Sequence, residues 1–425
     1  MHILEDFHAF LGSAPTSWHA VREIGSRLAL CDYIPLEVDE KWELKRGKKY
    51  FVAHGGSIAA FALPKSALQK ALLIGAHTDS PALKIKPQPE IHKENMTLLG
   101  VEVYGGPILP SWLSRDLGIA GRVFVLNAKQ QIEEHLIFID DTPLFIPFLA
   151  PHLDRESGEK GLLLNKQDHM IPLATLKQNE NQKLIESMLH CHFSFHTLLS
   201  FDLFLVPLEE PRFIGNSSEM IASYRLDNLA SVHAGVTALG NLSEASEHTL
   251  QMGLFWDHEE IGSQTAVGAE SPFFSDIFDR ISHFYSLDPE EKAIVKNRSL
   301  CLSVDVAHAL NPNYEKKYDP QHLPLLGKGV VIKSHAGQRY ASSAAGTAQV
   351  IHLCQQQNIP YQQYVSRSDI PSGSTIGPVF AGATGIETVD IGSAQLAMHA
   401  TRELISCQDH LDLATLLTHF LEEGE

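Results

Sequence analysis

Five times along this chain a strand-like run is followed at once by acids or histidine. Ala71 to Ala76 delivers His77-Thr78-Asp79-Ser80, and Ile221 to Leu226 leads into Asp227-Asn228. Met252 to Trp256 ends in Asp257-His258-Glu259-Glu260, with Gly262-Ser263 as the turn that closes it. Cys301 to Val304 delivers Asp305, with His308 three positions on, and Val389 to Gly392 leads to Met398-His399-Ala400. Such alternation with helix-like segments predicts an α/β sheet, whose ligand site lies at the carboxyl ends of the strands. Five strand-end sites can then converge in one crevice.

Two neighbouring acids at the end of a buried strand are costly to leave ionised unless a cation or hydrogen bonds offset them. A lone histidine or a Glu-Glu pair is ordinarily a solvated or hydrogen-bonded residue. The whole set argues otherwise: His77, Asp227, one glutamate of the Glu259-Glu260 pair, Asp305 and His399 offer two imidazoles and three carboxylates, and the other glutamate is spare. Borderline cations such as zinc or manganese take this mixture. If one carboxylate bridges, two metals sit in three-ligand half-sites with positions open for water and substrate, as catalytic centres require. The spare carboxylate then suits proton transfer from water.

At 425 residues the chain is expected to form two domains. Hydrophobic content of 44% and charged content of 20% are those of a globular protein, and a net charge of -18 disfavours nucleic acid and anionic membrane as partners. No apolar run approaches a membrane span, and the N-terminal residues carry acids where a signal peptide carries bases. The five cysteines are odd in number and scattered, which fits a reducing cytoplasm.

Leu4 to Leu11 and His19 to Leu28 read as helices, the second with Thr16 and Ser17 as caps. Lys49 to Val52 and Ser57 to Ala62 read as a hairpin around His54-Gly55-Gly56. From about 88 to 209 the text is β-rich, apart from a polar helix-leaning stretch, Lys177 to Met188. One α/β domain built from 1–87 and 210–425, interrupted by an insert at 88–209, is the simplest division.

The runs His77-Thr78-Asp79-Ser80, Arg225-Leu226-Asp227-Asn228, Asp257 to Ser263, Asp305-Val306-Ala307-His308 and Gln395 to Ala400 closely resemble the motif series of the aspartyl aminopeptidase family. The likeness runs from Ser17-Trp18-His19-Ala20-Val21 to Thr401-Arg402-Glu403, through Gly337 to Ser342 and Ser372 to Pro378. It implies a three-layer α/β/α catalytic domain with an inserted β-rich dimerisation domain, and a di-zinc aminopeptidase that prefers N-terminal Asp or Glu on peptides with a free N-terminus. Asp227, Glu260 and His399 would hold one metal and His77, Asp227 and Asp305 the other, with zinc, manganese or cobalt competent. Glu259 would be the general base on a metal-bridged water, and Asp79 would fix the His77 tautomer. Lys333 and Tyr340 match residues placed near substrate, and Lys333 is the candidate cation for an acidic side chain. His152 matches a histidine supplied to a neighbouring subunit, in a dimer-based homo-oligomer, expected to be a dodecamer. Ser372 and Asn311 depart from the family pattern, where Cys and a second His are common, and the segment Pro107-Ile108-Leu109-Pro110 is unusual. Rival readings keep the metal site but give it an apolar preference, or carboxypeptidase or deacylase chemistry; a non-catalytic scaffold would have lost a ligand or the base.

Overall fold

The structure is a computed structural model that describes residues 3–155, 157–176 and 183–423. The chain divides into two compact units: 1–79 with 211–398 and 403–425, and 80–210 with 399–402.

The first unit is built on a nine-stranded sheet. Its order is Tyr33–Leu36, Lys49–His54, Ser57–Ala62, Thr249–Trp256, Lys70–His77, Leu300–Val304, Glu387–Gly392, Val330–Ser334 and Tyr361–Val365. The four strands from Thr249–Trp256 to Glu387–Gly392 run parallel. They are near-continuous apolar runs because both faces are covered. Alternation decides which side chain goes where: Leu72, Ile74 and Ala76 pack into one core, Ala71 and Leu73 into the other. Helices Ile3–Ser13, Ser17–Leu30, Leu226–Asn241, Ala344–Gln356 and Cys407–Glu422 fill the first core, and Phe273–Phe284 and Ile376–Thr384 the second. The result is a mixed α/β fold of three layers. Gly75 lies between Ile74 and the strand end because a Cβ there would come within 2.9 Å of the Trp256 ring.

A smaller five-stranded sheet, Arg212–Ile214, Met220–Ser223, Glu403–Ser406, Ala394–Leu396 and Ala307–His308, belongs to the same unit. The expected strand from Ile221 to Leu226 is thus shorter and lies outside the central sheet. It breaks before Arg225, whose φ of +64° leaves the extended region. Thr16 stands at the N-cap of the second helix, but its hydroxyl meets His19 Nδ1 at 2.8 Å and caps no backbone amide.

The second unit is a closed barrel of Thr197–Pro207, Ala82–Lys93, Met96–Tyr104, Leu173–Thr175, Ile132–Phe145 and Asp116–Leu126. It begins at Ser80 rather than at 88, because Ala82–Lys93 already pairs with Met96–Tyr104 and Thr197–Pro207. It also takes in 399–402, which sequence order assigned to the other domain. Of the expected helix from Lys177, residues 177–182 lie outside the described part, and Leu184–His192 is helical. Among the described residues no helix is long and apolar enough to cross a membrane.

Candidate metal centre

His77 ends its strand, Glu259 and Glu260 follow Trp256, and Asp305 follows Val304. These three sites therefore meet at the carboxyl edge of adjacent parallel strands. Asp227 arrives differently, from the small sheet at the start of helix Leu226–Asn241. Its amide donates to Glu403 Oε2 at 3.0 Å, and the next side chain, Asn228, donates to Val304 O at 2.9 Å. The Arg225 guanidinium is buried and donates to the carbonyls of Ala14 and Thr78, which binds this turn to the one after His77.

His77 is only 1% exposed. Its Nε2 faces Asp227 Oδ1 at 3.3 Å, Asp305 Oδ1 at 3.6 Å and Glu259 Oε2 at 4.0 Å. Ligand atoms each about 2.1 Å from a tetrahedral zinc ion are about 3.4 Å apart, so His77, Asp227 and Asp305 are spaced as donors around one cation. Asp305 Oδ1 is buried and, apart from the His77 ring nitrogen 3.6 Å away, is met by no side-chain donor, as suits an oxygen that serves a metal. His77 also groups with Glu259 and Glu260, their candidate donor atoms lying within 4.8 Å of one another.

Asp79 joins the two halves of this cluster. Its Oδ1 lies 3.3 Å from His77 Nδ1, which also faces the Asp79 carbonyl at 3.2 Å. The same carboxylate accepts the amides of Glu259 on Oδ1 and Glu260 on Oδ2, both at 3.1 Å. With Nδ1–H held this way, Nε2 is the nitrogen that would offer its lone pair to a cation among the carboxylates.

Crowding shows in the protonation equilibria. Burial would depress the His77 pKa, but hydrogen bonding to Asp227, Asp305 and Asp79 and the charge of Glu259 carry it well above 6.5. Glu259 is pushed up to about 8, chiefly by burial and then by the charges of Asp305, Asp79 and Asp227, against the opposing pull of His77. Glu260 rises well above 4.5 through burial and the charges of Asp227 and Glu259. Acids so placed hold protons or cations.

Lys333 is 1% exposed, with Nζ 3.5 Å from Asp305 Oδ2, 3.2 Å from Val306 O and 5.2 Å from the centre of the Tyr340 ring. The expected substrate cation is therefore buried and already engaged by Asp305. Asp390, whose role the sequence left unread, receives Ser303 Oγ, Thr375 Oγ1 and the Ala341 amide. It thereby ties down the two motifs Gly337 to Ser342 and Ser372 to Pro378. Asn311 lies in a turn, its Oδ1 accepting the Asn313 amide.

His399 and His152 fall in the second unit. The His399 Nδ1–H is held by Gly106 O at 3.0 Å, which makes Nε2 the acceptor nitrogen. His152 is exposed.

Carboxylates this close around one imidazole at a sheet's carboxyl edge must share protons or hold a cation, and their mixture of donors is that of a metal site. Residues 10–421 match the family described as Aminopeptidase I zinc metalloprotease (M18). A probable M18 family aminopeptidase 2 of Streptomyces avermitilis is 37% identical over 98% of this chain and 97% of its own length. A chain in the cryo-EM structure of the Ape4 and Nbr1 complex has a TM-score of 0.93 at 32% identity, covering 99% of this chain and 85% of that one. The S. cerevisiae mApe1 dodecamer gives 0.86 at 25% identity, covering 100% and 97%. The chain belongs to the M18 family of zinc aminopeptidases.

Proposed function

We propose that the chain is a two-metal exopeptidase that releases N-terminal residues, Asp and Glu preferred, with Glu259 as general base. The observation that carries this reading is the placement of Glu259 Oε2 4.0 Å from His77 Nε2, on a turn whose amides are held by the same Asp79 that faces His77. Asp227, Asp305 and His77 would hold one ion; Asp227, Glu260 and His399 would hold the second, with Asp227 shared. Zinc, or manganese or cobalt in its place, would act there as a Lewis acid towards the scissile carbonyl and an attacking water. Glu259 takes the proton from that water and delivers it to the leaving amine, so that water adds across the broken C–N bond. Asp79 keeps the His77 lone pair and the Glu259 carboxylate aimed at the same point. Substrate amines enter protonated, and the carboxylates replace the solvation they lose, which supports a requirement for a free N-terminus.

The acidic preference rests on the family and on Lys333. One observation favours an apolar preference instead: Lys333 is buried and held by Asp305. Lys333→Met separates the two, since the acidic reading expects a far larger loss on aspartyl and glutamyl than on leucyl or alanyl substrates. Equal loss on all four would move Lys333 to support of Asp305 alone.

The mApe1 relative is solved as a dodecamer, and we extend that assembly to this chain, with His152 supplied across a subunit contact. Five unpaired cysteines support a cytoplasmic setting. The test of the chemistry is Glu259→Gln in zinc-loaded protein. Metal content should hold while turnover falls by more than the roughly 10²–10⁴-fold of ordinary general-base loss. Retention of a tenth of the activity would assign the base elsewhere.

A further inference from the structure

We infer that Asp257, through Ser17 and His258, is the positioning residue that sets the aim of Glu259; the inference rests on Glu259 being the base. Asp257 is buried behind the turn that carries the paired glutamates. Its Oδ2 accepts Ser17 Oγ at 3.1 Å and its Oδ1 accepts the His258 amide at 3.0 Å. Ser17 opens helix Ser17–Leu30, so the carboxylate lies against a helix N-terminus, where the backbone dipoles favour negative charge. The Asp257 amide donates to Ser57 Oγ at 2.8 Å, and that hydroxyl donates to Val267 O at 2.6 Å.

The pocket around the carboxylate is closed by backbone. A Cβ on Gly56 would fall 2.0 Å from Asp257 Oδ2 and 2.7 Å from Ser17 Oγ. Thr78, next to His77, donates its hydroxyl to Gly56 O at 2.6 Å and holds that backbone in place.

What this anchor controls is the conformation of His258. Its φ is +66°, a left-handed value that is uncommon for residues other than glycine. The Asp257 carboxylate holds its amide from one side, and Thr265 Oγ1 meets its Nδ1 at 2.8 Å from the other. That turn of the chain is what swings the next two amides, of Glu259 and Glu260, onto Asp79. Asp257 and Asp79 thus grip the base turn from behind and in front. The motifs Ser17 to Val21 and Asp257 to Ser263, far apart in sequence, form one device.

Removing the rear grip lets His258 relax and the base drift, and a shift of about 1 Å can cost on the order of 10² in rate. The experiment compares Asp257→Ala, Asp257→Asn, Glu259→Gln and the Ala/Gln double variant as zinc-loaded proteins on aminoacyl chromogenic substrates. Metal per chain is measured alongside. Asp257→Ala should lower kcat about 10²-fold with KM changed by less than about threefold. Asp257→Asn, whose carbonyl still accepts the His258 amide, should recover most of it. In the Glu259→Gln background Asp257→Ala should add almost nothing, because only the base was misplaced. If Asp257→Ala does not fold, Ser17→Ala removes one bond of the anchor and should cost kcat several-fold with KM held. An undiminished kcat in the folded variants, an equal further loss in the Gln background, or an Asn variant as poor as Ala would each overturn the assignment. An active Glu259→Gln enzyme would instead remove the base itself.

Discussion

A single methyl group tests the packing behind the turn that carries Glu259. Gly56→Ala would drive a carbon into the Asp257 carboxylate, and overpacking of this kind destabilises by about 1–3 kcal/mol. Thermal melting should show it, and an unshifted midpoint would mean that the carboxylate has room to move. Chelated protein gives a second test at this scale. Glu259 keeps its proton in the fold up to about 8 but releases it near 4.5 when unfolded, so its contribution to stability is full below 4.5 and lost as pH rises to 8. His77, raised well above 6.5, acts in the same direction. The melting midpoint of metal-free protein should therefore fall between pH 5.5 and 8.5. The fall should be shallower in Glu259→Gln and reversed by added zinc. Equal slopes in the wild type and that variant would show that Glu259 carries no strain.

Between elements, a buried chain of polar contacts latches the first helix. Asp6 accepts from Arg27 and faces His233 Nε2 at 2.9 Å; His233 Nδ1 lies 3.0 Å from His410 Nε2, and Phe7 stacks on His410 at 3.9 Å. Helices Ile3–Ser13, Ser17–Leu30, Leu226–Asn241 and Cys407–Glu422 are joined at this point. Burial depresses both histidines below 6.5, and hydrogen bonding to His233 depresses Asp6 below 3.8. Unfolded histidines take protons that the folded ones refuse, so this stability is present above 6.5 and lost as pH falls, with Asp6 adding its share below 3.8. His410→Gln should flatten the decline in melting temperature from pH 6.5 to 5, and an unchanged decline would place the acid sensitivity elsewhere. The parallel strands were legible because a strand covered on both faces is apolar over most of its length, as Met252 to Trp256 is. The strand-end positions of His77, Glu260 and Asp305 were legible because each lies at or just beyond the end of such a strand. Sequence did not reveal that Met220–Ser223 leaves the central sheet, nor that Lys333 is buried beside Asp305, since both depend on partners distant in the chain. The boundary at 79/80 was hidden because Ala82–Lys93 reads like any strand until its barrel partners are known.

At the level of the whole molecule, the second unit carries Phe148, Leu149 and Leu153 exposed on either side of His152, with Leu153 at 76%. A loop this apolar needs a cover, and another copy of the chain suits the assembly proposed above. His152→Ala should reduce turnover and leave metal per chain unchanged, and a fully active monomer in solution would refute the shared site. The interleaved first unit has a further consequence, for synthesis. Lys70–His77, in the middle of the central sheet, pairs with Thr249–Trp256 and Leu300–Val304. At about 5–20 residues per second, a ribosome takes roughly 10–50 s to make the chain between His77 and Asp305. Until residue 256 is made the Lys70–His77 strand has neither of these sheet neighbours, and until residue 304 it lacks the second, while the barrel made in between can already close. Any pause before residue 305 would lengthen the time for which that strand edge stays unpaired.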